Sequence, residues 1–186
     1  MKLLICSDIH GDAQCLTEIL EAYKREAAEK LLILGDLLYH GPRNDLPSGY
    51  NPKKVIALLN ENKDSILTVK GNCDGEVDQM VLSFPILADY AFINIDNFRI
   101  FMTHGHHHNT ENLPPLSKGD ILLHGHTHIP AYEPFGNENV YINPGSVSIP
   151  KNNFPKTYIL YENGVFALKT LDGKILWKNG VPVSEN

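Results

Sequence analysis

The stretch 122–128 constrains the fold of this chain more than any other, because a short apolar run ends there in closely spaced histidines. His126 and His128 stand at positions i and i+2, separated by a single threonine. In an extended backbone this spacing aims both imidazoles at one point, and imidazole is the commonest metal ligand near neutral pH. The pair therefore indicates a metal site where a strand runs into a loop.

Four other stretches also place nitrogen or oxygen donors directly after short apolar runs, at 7–10, 34–36, 71–74 and 103–106. Each stretch alone is compatible with an ordinary turn, a helix cap or a solvated loop, whereas five together favour a common function. Ligand sites in open α/β sheets gather at the carboxyl ends of the strands, so we expect one site. The candidate donors are Asp8, His10, Asp36, Asn72, His104, His126 and His128.

The chemistry of these seven donors indicates two metal ions. The set contains no thiolate, and seven ligands are too many for one tetrahedral zinc ion. Two divalent ions about 3.5–4 Å apart share a bridging ligand and hold a hydroxide that attacks phosphorus in line. Asp36 stands alone at its strand end and is the predicted bridge, because a carboxylate can span two cations.

Charge also favours a phosphate ester as the substrate. Two dications, two aspartates and one hydroxide leave a net charge of roughly +1, which a phosphodiester would neutralise. A neutral Asn72 in place of a third carboxylate keeps the site positive. The same bookkeeping leaves a phosphomonoester or a nucleotide open as the alternative substrate.

The order of apolar runs predicts a mixed α/β fold. Runs at 2–7, 31–34 and 66–69 read as buried strands, and helical spacing follows Asp12 and Asn51, which gives a βαβαβ start. In the second half strands follow strands, which indicates a second, mixed or antiparallel sheet. Two sheets packed face to face with helices outside form a four-layer α/β/β/α sandwich. The later strands are predicted at 90–95, 98–102, 121–123, 140–142, 157–161 and 165–171.

Composition narrows the class of protein. The 186 residues fit one domain, 1–186, and the net charge of −6 argues against stable nucleic-acid binding or binding to an anionic membrane surface. No apolar run is long enough to span a membrane. The three cysteines, Cys6, Cys15 and Cys73, form no C-x-x-C pair, which favours a reducing, cytoplasmic setting.

The Gly- and Pro-rich loop 40–50 follows one of the proposed ligands and is the predicted substrate-facing loop. Arg43 could clamp a phosphate oxygen bidentately, or be a solvated loop arginine. His40 has the same two interpretations. Both are candidate substrate-binding residues.

The donor motifs resemble those of the calcineurin-like metallophosphoesterase superfamily. Its pattern D-x-H, G-D, G-N-x-[DH], H and G-H-x-H is matched at 8–10, 35–36, 71–74, 104 and 125–128. Within the superfamily, the chain resembles the bacterial YfcE-type phosphodiesterases almost end to end. That closer likeness includes 40–44, 111–114 and 143–151.

The resemblance implies how the donors divide between two ions. One ion would be held by Asp8, His10, Asp36 and His128, and the other by Asp36, Asn72, His104 and His126. It also implies manganese as the activating ion, a small phosphodiester substrate, and a homodimer or homotetramer. Mixed nitrogen and oxygen ligands also admit zinc, iron, nickel and cobalt.

The retromer subunit that shares this fold offers another alternative, a non-catalytic scaffold with an eroded ligand set. All seven donors are present here, which favours an enzyme.

One position departs from the superfamily pattern. Many members carry histidine where this chain has Cys73, and there it can act as a general acid toward the leaving group. Cysteine is a poor substitute, since its ordinary pKa is near 8.5. We expect activated leaving groups to be handled well and poor ones badly, with Asp74 or His106 as candidate catalytic residues that partly take over.

Overall fold

The computed structural model describes residues 1–183, so the last three residues of the predicted domain 1–186 lie outside it. The predicted sandwich is confirmed: two mixed sheets pack face to face. The helices are α1 (Ala13–Arg25), α2 (Pro52–Glu61) and α3 (Glu76–Gln79), with a 3₁₀ turn at Lys63–Ser65. The strands are β1 (Lys2–Cys6), β2 (Lys30–Ile33), β3 (Ile66–Thr68), β4 (Tyr90–Ile95), β5 (Phe98–Thr103), β6 (Ile121–Leu123), β7 (Pro130–Phe135), β8 (Asn139–Pro144), β9 (Thr157–Glu162), β10 (Val165–Thr170), β11 (Ile175–Lys178) and β12 (Val181–Pro182).

The first sheet has the strand order β12-β11-β10-β9-β1-β2-β3. Strands β1, β2 and β3 are parallel, as the βαβαβ start predicts, and β9 joins β1 in antiparallel orientation. The second sheet has the order β4-β5-β6-β8-β7, with β5, β6 and β8 parallel. Each sheet thus brings the carboxyl ends of neighbouring parallel strands to one edge, where loops can meet.

The helices begin where the sequence places capping residues. The Asp12 carboxylate accepts bonds from the backbone N–H groups of Gln14 and Cys15, both at 3.0 Å. Asn51 caps α2 through the N–H of Lys54 at 3.1 Å, with Pro52 as the first helical residue. Such caps satisfy donors that have no partner inside the helix.

Alternation along the strands assigns side chains to two apolar layers. On β1, Leu3 and Ile5 face the second sheet, whereas Leu4 and Cys6 face the helices. Both faces of these early strands are buried, so apolar residues occupy every position, and the strands appear in the sequence as continuous apolar runs. Among residues 1–183, no helix is long and apolar enough to cross a membrane.

The outer face of the second sheet is covered differently from the first. Phe101, Leu122 and Tyr141 form that face, and Leu116 of the loop before β6 packs on them. No helix occurs after α3 in the described part of the chain. In residues 1–183 this face is covered by a loop, whereas α1 and α2 cover the outer face of the first sheet.

Sequence patterning missed β7, β11 and β12. Pro130 and Pro134 obscure β7, since proline cannot donate to a strand ladder. Both are tolerated because β7 is the last strand of its sheet. Strand β11 is short and only half-buried, and β12 is a two-residue exposed strand, so neither carries a clear apolar alternation.

Glu26, at the end of α1, joins the helix to two strands of the first sheet. Its carboxylate accepts bonds from Lys169 and from the Tyr158 hydroxyl, the latter at 2.8 Å. Burial raises the pKa of Glu26, but these two bonds outweigh it and hold the pKa below its ordinary value.

We expect Glu26→Gln to lower the free energy of unfolding by about 1 kcal/mol at pH 7, because the charged bonds are lost. A carboxyl whose pKa is depressed in the folded state stabilises above its unfolded pKa, near 4.3. The difference from wild type should therefore shrink as pH falls below about 4. Urea unfolding across this range measures it, with Glu21→Gln on the exposed side of α1 as the control. A pH-independent difference would contradict the assignment.

Candidate metal centre

The seven candidate donors come from loops that follow strands of both sheets. The loops after β1 and β2 are bonded to each other, with the N–H of Asp8 on the Gly35 carbonyl at 3.2 Å and that of His10 on the Asp36 carbonyl at 2.9 Å. In the second sheet, the N–H of Gly125 bonds to the His104 carbonyl at 3.0 Å. The backbone itself therefore holds the donor loops side by side.

Five of the seven donor residues adopt left-handed backbone conformations, which residues other than glycine rarely adopt. Such residues cost on the order of 1–3 kcal/mol each and persist only where the surroundings enforce them. The extended backbone expected between His126 and His128 is wrong, because both have positive φ. The angles are φ 60° for Asp8, 49° for His10, 56° for Asp36, 66° for His126 and 62° for His128.

One group of donor atoms surrounds the Nε2 atom of His10. This atom lies 3.7 Å from Asp8 Oδ1, 3.6 Å from Asp36 Oδ2 and 3.3 Å from His128 Nε2. His128 Nε2 is in turn 3.2 Å from Asp8 Oδ1. These side chains are almost fully buried.

A second group surrounds the Nε2 atom of His104. This atom lies 3.4 Å from Asp36 Oδ2, 3.0 Å from Asn72 Oδ1 and 3.2 Å from His126 Nδ1. The same oxygen of Asp36 thus belongs to both groups. The first group thus contains Asp8, His10 and His128, the second contains Asn72, His104 and His126, and Asp36 belongs to both.

Backbone carbonyls fix the imidazoles in one tautomer. A carbonyl only accepts hydrogen bonds, so the ring nitrogen that contacts it carries the proton, and the other nitrogen presents its lone pair to the cluster when the ring is neutral. The Nδ1 atoms donate as follows: His10 to Tyr39 at 2.8 Å, His104 to Leu34 at 2.6 Å and His128 to Ile149 at 2.6 Å.

The cluster has unmet demand for positive charge. Asp8 Oδ1 is buried and has no hydrogen-bond partner. The His10 and His128 lone pairs converge on it at short range, an arrangement that only a cation or a shared proton stabilises. Hard oxygen and imidazole nitrogen donors of this kind suit divalent ions, so the residues fit the metals that the sequence predicts.

Electrostatics agree with this assignment. Burial lowers the pKa of His104, but Asp36 and Asp8 outweigh it and raise the pKa to about 9. Burial raises the pKa of Asp8, but contacts with His10 and His128 bring it well below its ordinary value. The negative potential that draws protons here would equally draw metal ions, so metal and protons compete.

Two glycines leave the space that the carboxylates occupy. A Cβ atom on Gly71 would lie 2.1 Å from Asp36 Oδ1, and one on Gly125 would lie 1.9 Å from Ser7 Oγ and 2.8 Å from Asp8 Oδ2. Real Cβ atoms do not approach other atoms this closely. Glycine is therefore required at both places.

Asp74, a predicted catalytic residue, has both carboxylate oxygens engaged by the backbone. It accepts bonds from the N–H groups of Asp36, Leu37 and Gly71, each at 2.8 Å. Burial raises its pKa to about 6 despite these bonds. The side chain ties the loop after β2 to the loop after β3.

His106, the other predicted catalytic residue, lies beside the second group of donors. Its ring centroid is 5.4 Å from that of His104 and 6.2 Å from that of His126. Burial, then the neighbouring His104, lowers its pKa to about 4. The ring is therefore neutral at pH 7.

A cavity of about 500 Å³ opens over the donors and is lined in part by Arg43 and Cys73. His40 does not line it; its ring packs between those of Tyr39 and Tyr50, with centroid distances of 4.8 and 5.5 Å. The sequence analysis missed Lys151, a second cation of this cavity. Its only sequence signal is its place at the end of the 143–151 likeness.

Two serines and an asparagine behind the cavity hold the turns that carry the donors. The hydroxyls of Ser146 and Ser148 donate to the Asp8 carbonyl at 3.0 and 2.7 Å. Asn143 Nδ2 donates to the Gly125 carbonyl at 2.9 Å. These bonds hold the left-handed turns that aim the donors.

Comparison with known proteins identifies relatives across most of the chain. Residues 1–163 match the family model of the calcineurin-like phosphoesterase superfamily domain. Phosphodiesterase YfcE of Escherichia coli K12 is 48% identical over 172 residues, which are 92% of this chain and 93% of that protein. Phosphodiesterase MJ0936 of Methanocaldococcus jannaschii is 28% identical over 153 residues, 78% of this chain and 83% of the relative.

Solved structures show the same likeness. The structure of YfcE, a phosphoesterase from E. coli, superposes with a TM-score of 0.93 at 46% identity, covering 97% of this chain and 100% of the other. A Vps29 variant from Entamoeba histolytica superposes with a TM-score of 0.62 at 22% identity, covering 99% and 100%. The second likeness shows a shared fold and nothing more.

Replacing Gly125 with alanine tests whether the close approach to Asp8 is required. The added Cβ would force Ser7 and Asp8 apart, so we expect Gly125→Ala to cost about 1–3 kcal/mol of stability and to weaken Mn²⁺ binding at least about 10-fold. Gly75→Ala is the matched control, since its Cβ would meet nothing closer than Asp78 Oδ2 at 3.7 Å. Urea unfolding and calorimetric Mn²⁺ titration measure the two effects. Equal behaviour of the two variants would contradict the steric argument.

Proposed function

The chain belongs to the calcineurin-like phosphoesterase superfamily, and we propose that it is a metal-dependent phosphodiesterase. The observation that carries the proposal is the convergence of seven donors on two points that share one oxygen of Asp36. The relative named as a phosphodiesterase, at 48% identity over nearly the whole chain, supports the same activity.

Asp8, His10, Asp36 and His128 would hold one divalent ion, and Asp36, Asn72, His104 and His126 the other. When bound, two such ions lower the pKa of water for in-line attack on phosphorus and stabilise the charge that develops there. The protein fixes the direction of each donor. The Asp36 oxygen not shared by the groups accepts the N–H of Cys73 at 2.8 Å, which fixes the rotation of the carboxylate.

Arg43 and Lys151 would receive the substrate's phosphate. Both line the cavity above the donors, on separate loops. Arg43 can offer two parallel N–H donors to phosphate oxygens, and Lys151 a point charge. His40 would act indirectly, since it packs between two tyrosines and holds the loop that carries Arg43.

For Asp74 we propose a positioning role, since its oxygens are occupied by three backbone N–H groups. His106 is neutral at pH 7, so it is a weak proton donor there. Burial, followed by Asp36, raises the pKa of the Cys73 thiol to about 12. Cys73 and His106 are thus weak acids at neutral pH, and the Asp74 carboxylate is turned to the backbone, so the site should favour leaving groups that depart as anions.

Further features stay predictions. Manganese as the ion and a homodimer or homotetramer follow from the resemblance, and a cytoplasmic location from the cysteine usage.

The first test is hydrolysis of bis(4-nitrophenyl) phosphate beside 4-nitrophenyl phosphate. We expect metal-stripped protein to be inactive, and added Mn²⁺ to restore diester turnover that exceeds monoester turnover. We expect about two Mn²⁺ per chain in the wild type and loss of both metal and activity in Asp36→Asn. Asp64→Asn is the control, because Asp64 is an exposed carboxylate that is not among the seven donors.

Equal or faster monoester turnover would assign the site to a phosphomonoesterase instead. An absence of turnover with Mn²⁺, Zn²⁺, Fe²⁺, Co²⁺ or Ni²⁺ would contradict the enzymatic proposal and favour a scaffold.

Cys73→His tests the supply of a proton to the leaving group. We expect the variant to accelerate diesters with alkyl leaving groups about 10-fold or more and 4-nitrophenyl diesters less, because only the former need an acid. The measurement is kcat/KM against the pKa of the leaving group, whose slope should become shallower. Cys73→Ser controls for loss of the thiol. An unchanged slope in Cys73→His would refute the argument.

A further inference from the structure

A second cavity, of about 430 Å³, adjoins the one above the donors. We call it the apolar groove; its walls include Tyr39, Tyr50, Ile56, Val77 and Val81. Cys73 lines both cavities. The two cavities are therefore neighbours, with Cys73 between the donors and the groove.

The groove walls are apolar and exposed. Val77 is 75% exposed, Val81 44% and Tyr39 42%. Contiguous apolar surface of this kind, adjoining a polar cavity, is typical of a ligand subsite. The exposed parts of Tyr39, Val77 and Val81 are not covered by other residues among 1–183, so they can contact a ligand.

The charge at the groove further restricts its occupant. Its charged lining residue is Asp78, whose Oδ2 accepts the N–H of Gly75 at 2.7 Å. The cations Arg43 and Lys151 line the other cavity. A second anionic group would meet a carboxylate and apolar walls here, at a cost in desolvation.

One wall of the groove is rigidly joined to the donor cluster. The Tyr39 carbonyl accepts the Nδ1–H of His10 at 2.8 Å, while the Tyr39 side chain lines the groove. The neighbouring His40 carbonyl accepts a bond from Asn44 at 2.7 Å, and the His40 ring packs on Tyr39 and Tyr50. This wall is thus held at a fixed distance from the phosphate position before any ligand arrives, which reduces the entropic cost of binding.

We infer that the apolar groove binds an uncharged alkyl or aryl ester group of the substrate, while its phosphate lies over the donors. The inference rests on the proposed function, because it takes the phosphate position from it. It narrows the substrate class to phosphodiesters with one apolar alcohol, and it disfavours dinucleotides and other esters whose second group is anionic.

Alkylphosphonates test the inference without turnover, since their carbon–phosphorus bond is not hydrolysed by such a site. Methyl-, butyl- and hexylphosphonate are titrated into Mn²⁺-loaded protein by calorimetry. We expect hexylphosphonate to bind at least about 10-fold more tightly than methylphosphonate. This gain is a small part of the free energy of burying five CH₂ groups completely, because the groove is open on one side.

Val77→Asp and Val81→Asp place a charge in the groove, and Met80→Asp is the matched control. Met80 is 84% exposed on the same segment and does not line the groove. We expect the hexyl-to-methyl affinity ratio to fall below about threefold in the two groove variants and to stay as in the wild type in Met80→Asp. Circular dichroism and Mn²⁺ titration confirm that each variant is folded and loaded.

The inference would be overturned if hexylphosphonate bound the wild type no better than methylphosphonate, or if Met80→Asp lowered the hexyl-to-methyl affinity ratio as much as the groove variants do. It would also be overturned if the wild type were a dimer that Val77→Asp dissociates, because the groove would then bind a second copy of the chain. Failure of the proposed function would differ from all three. In that case no phosphonate binds the Mn²⁺-loaded protein and no diester is hydrolysed, whereas failure of the inference alone leaves methylphosphonate binding and diester hydrolysis intact.

Discussion

The Asp36 carboxylate is the constraint on which the rest of the site depends. One oxygen is fixed by the Cys73 N–H, which leaves the other to face both His10 and His104. The backbone of Asp36 is held by Asp74, and the space beside it exists because residue 71 has no side chain. Two loops are thus organised around one carboxylate, and each would lose its position without the other.

This arrangement is costly, and the two packed sheets supply the stability that maintains it. Five donors sit in left-handed conformations, each costing on the order of 1–3 kcal/mol. Buried parallel strands on both sides fix the chain immediately before every one of these turns. The hydroxyls of the two serines behind Asp8 donate to its carbonyl, so this strained residue does not leave its own backbone acceptor unpaired.

Sequence patterning predicts what depends on local chemistry. Runs of apolar residues predict the buried strands, and a solitary aspartate after Gly35 suffices to nominate a bridge between the donor groups. Residue spacing alone could not predict that His126 and His128 belong to different donor groups, because histidine carries no signal for left-handed backbone, and only the resemblance implied it. Nor could the exclusion of His40 from the first cavity be predicted, since it depends on how the loop folds to bring Tyr50, at its other end, against the His40 ring. The loop that packs over Phe101 has no apolar periodicity, so the sequence gives no sign that it covers the outer face of the second sheet.

The donors grip features that all phosphate esters share, so selectivity has to come from what surrounds them. Two properties of the surroundings act in the same direction. Neither the Cys73 thiol nor the His106 ring is a good acid at neutral pH, which favours alcohols that leave without protonation. The neighbouring cavity, which shares Cys73 with the first, is apolar and bears a carboxylate. Both properties meet at Cys73, since its thiol is the weak acid and its side chain borders both cavities. Histidine at position 73 would change both the supply of a proton to the leaving group and the space between the two cavities. These two effects are separated by varying the leaving group and the apolar group of the substrate independently.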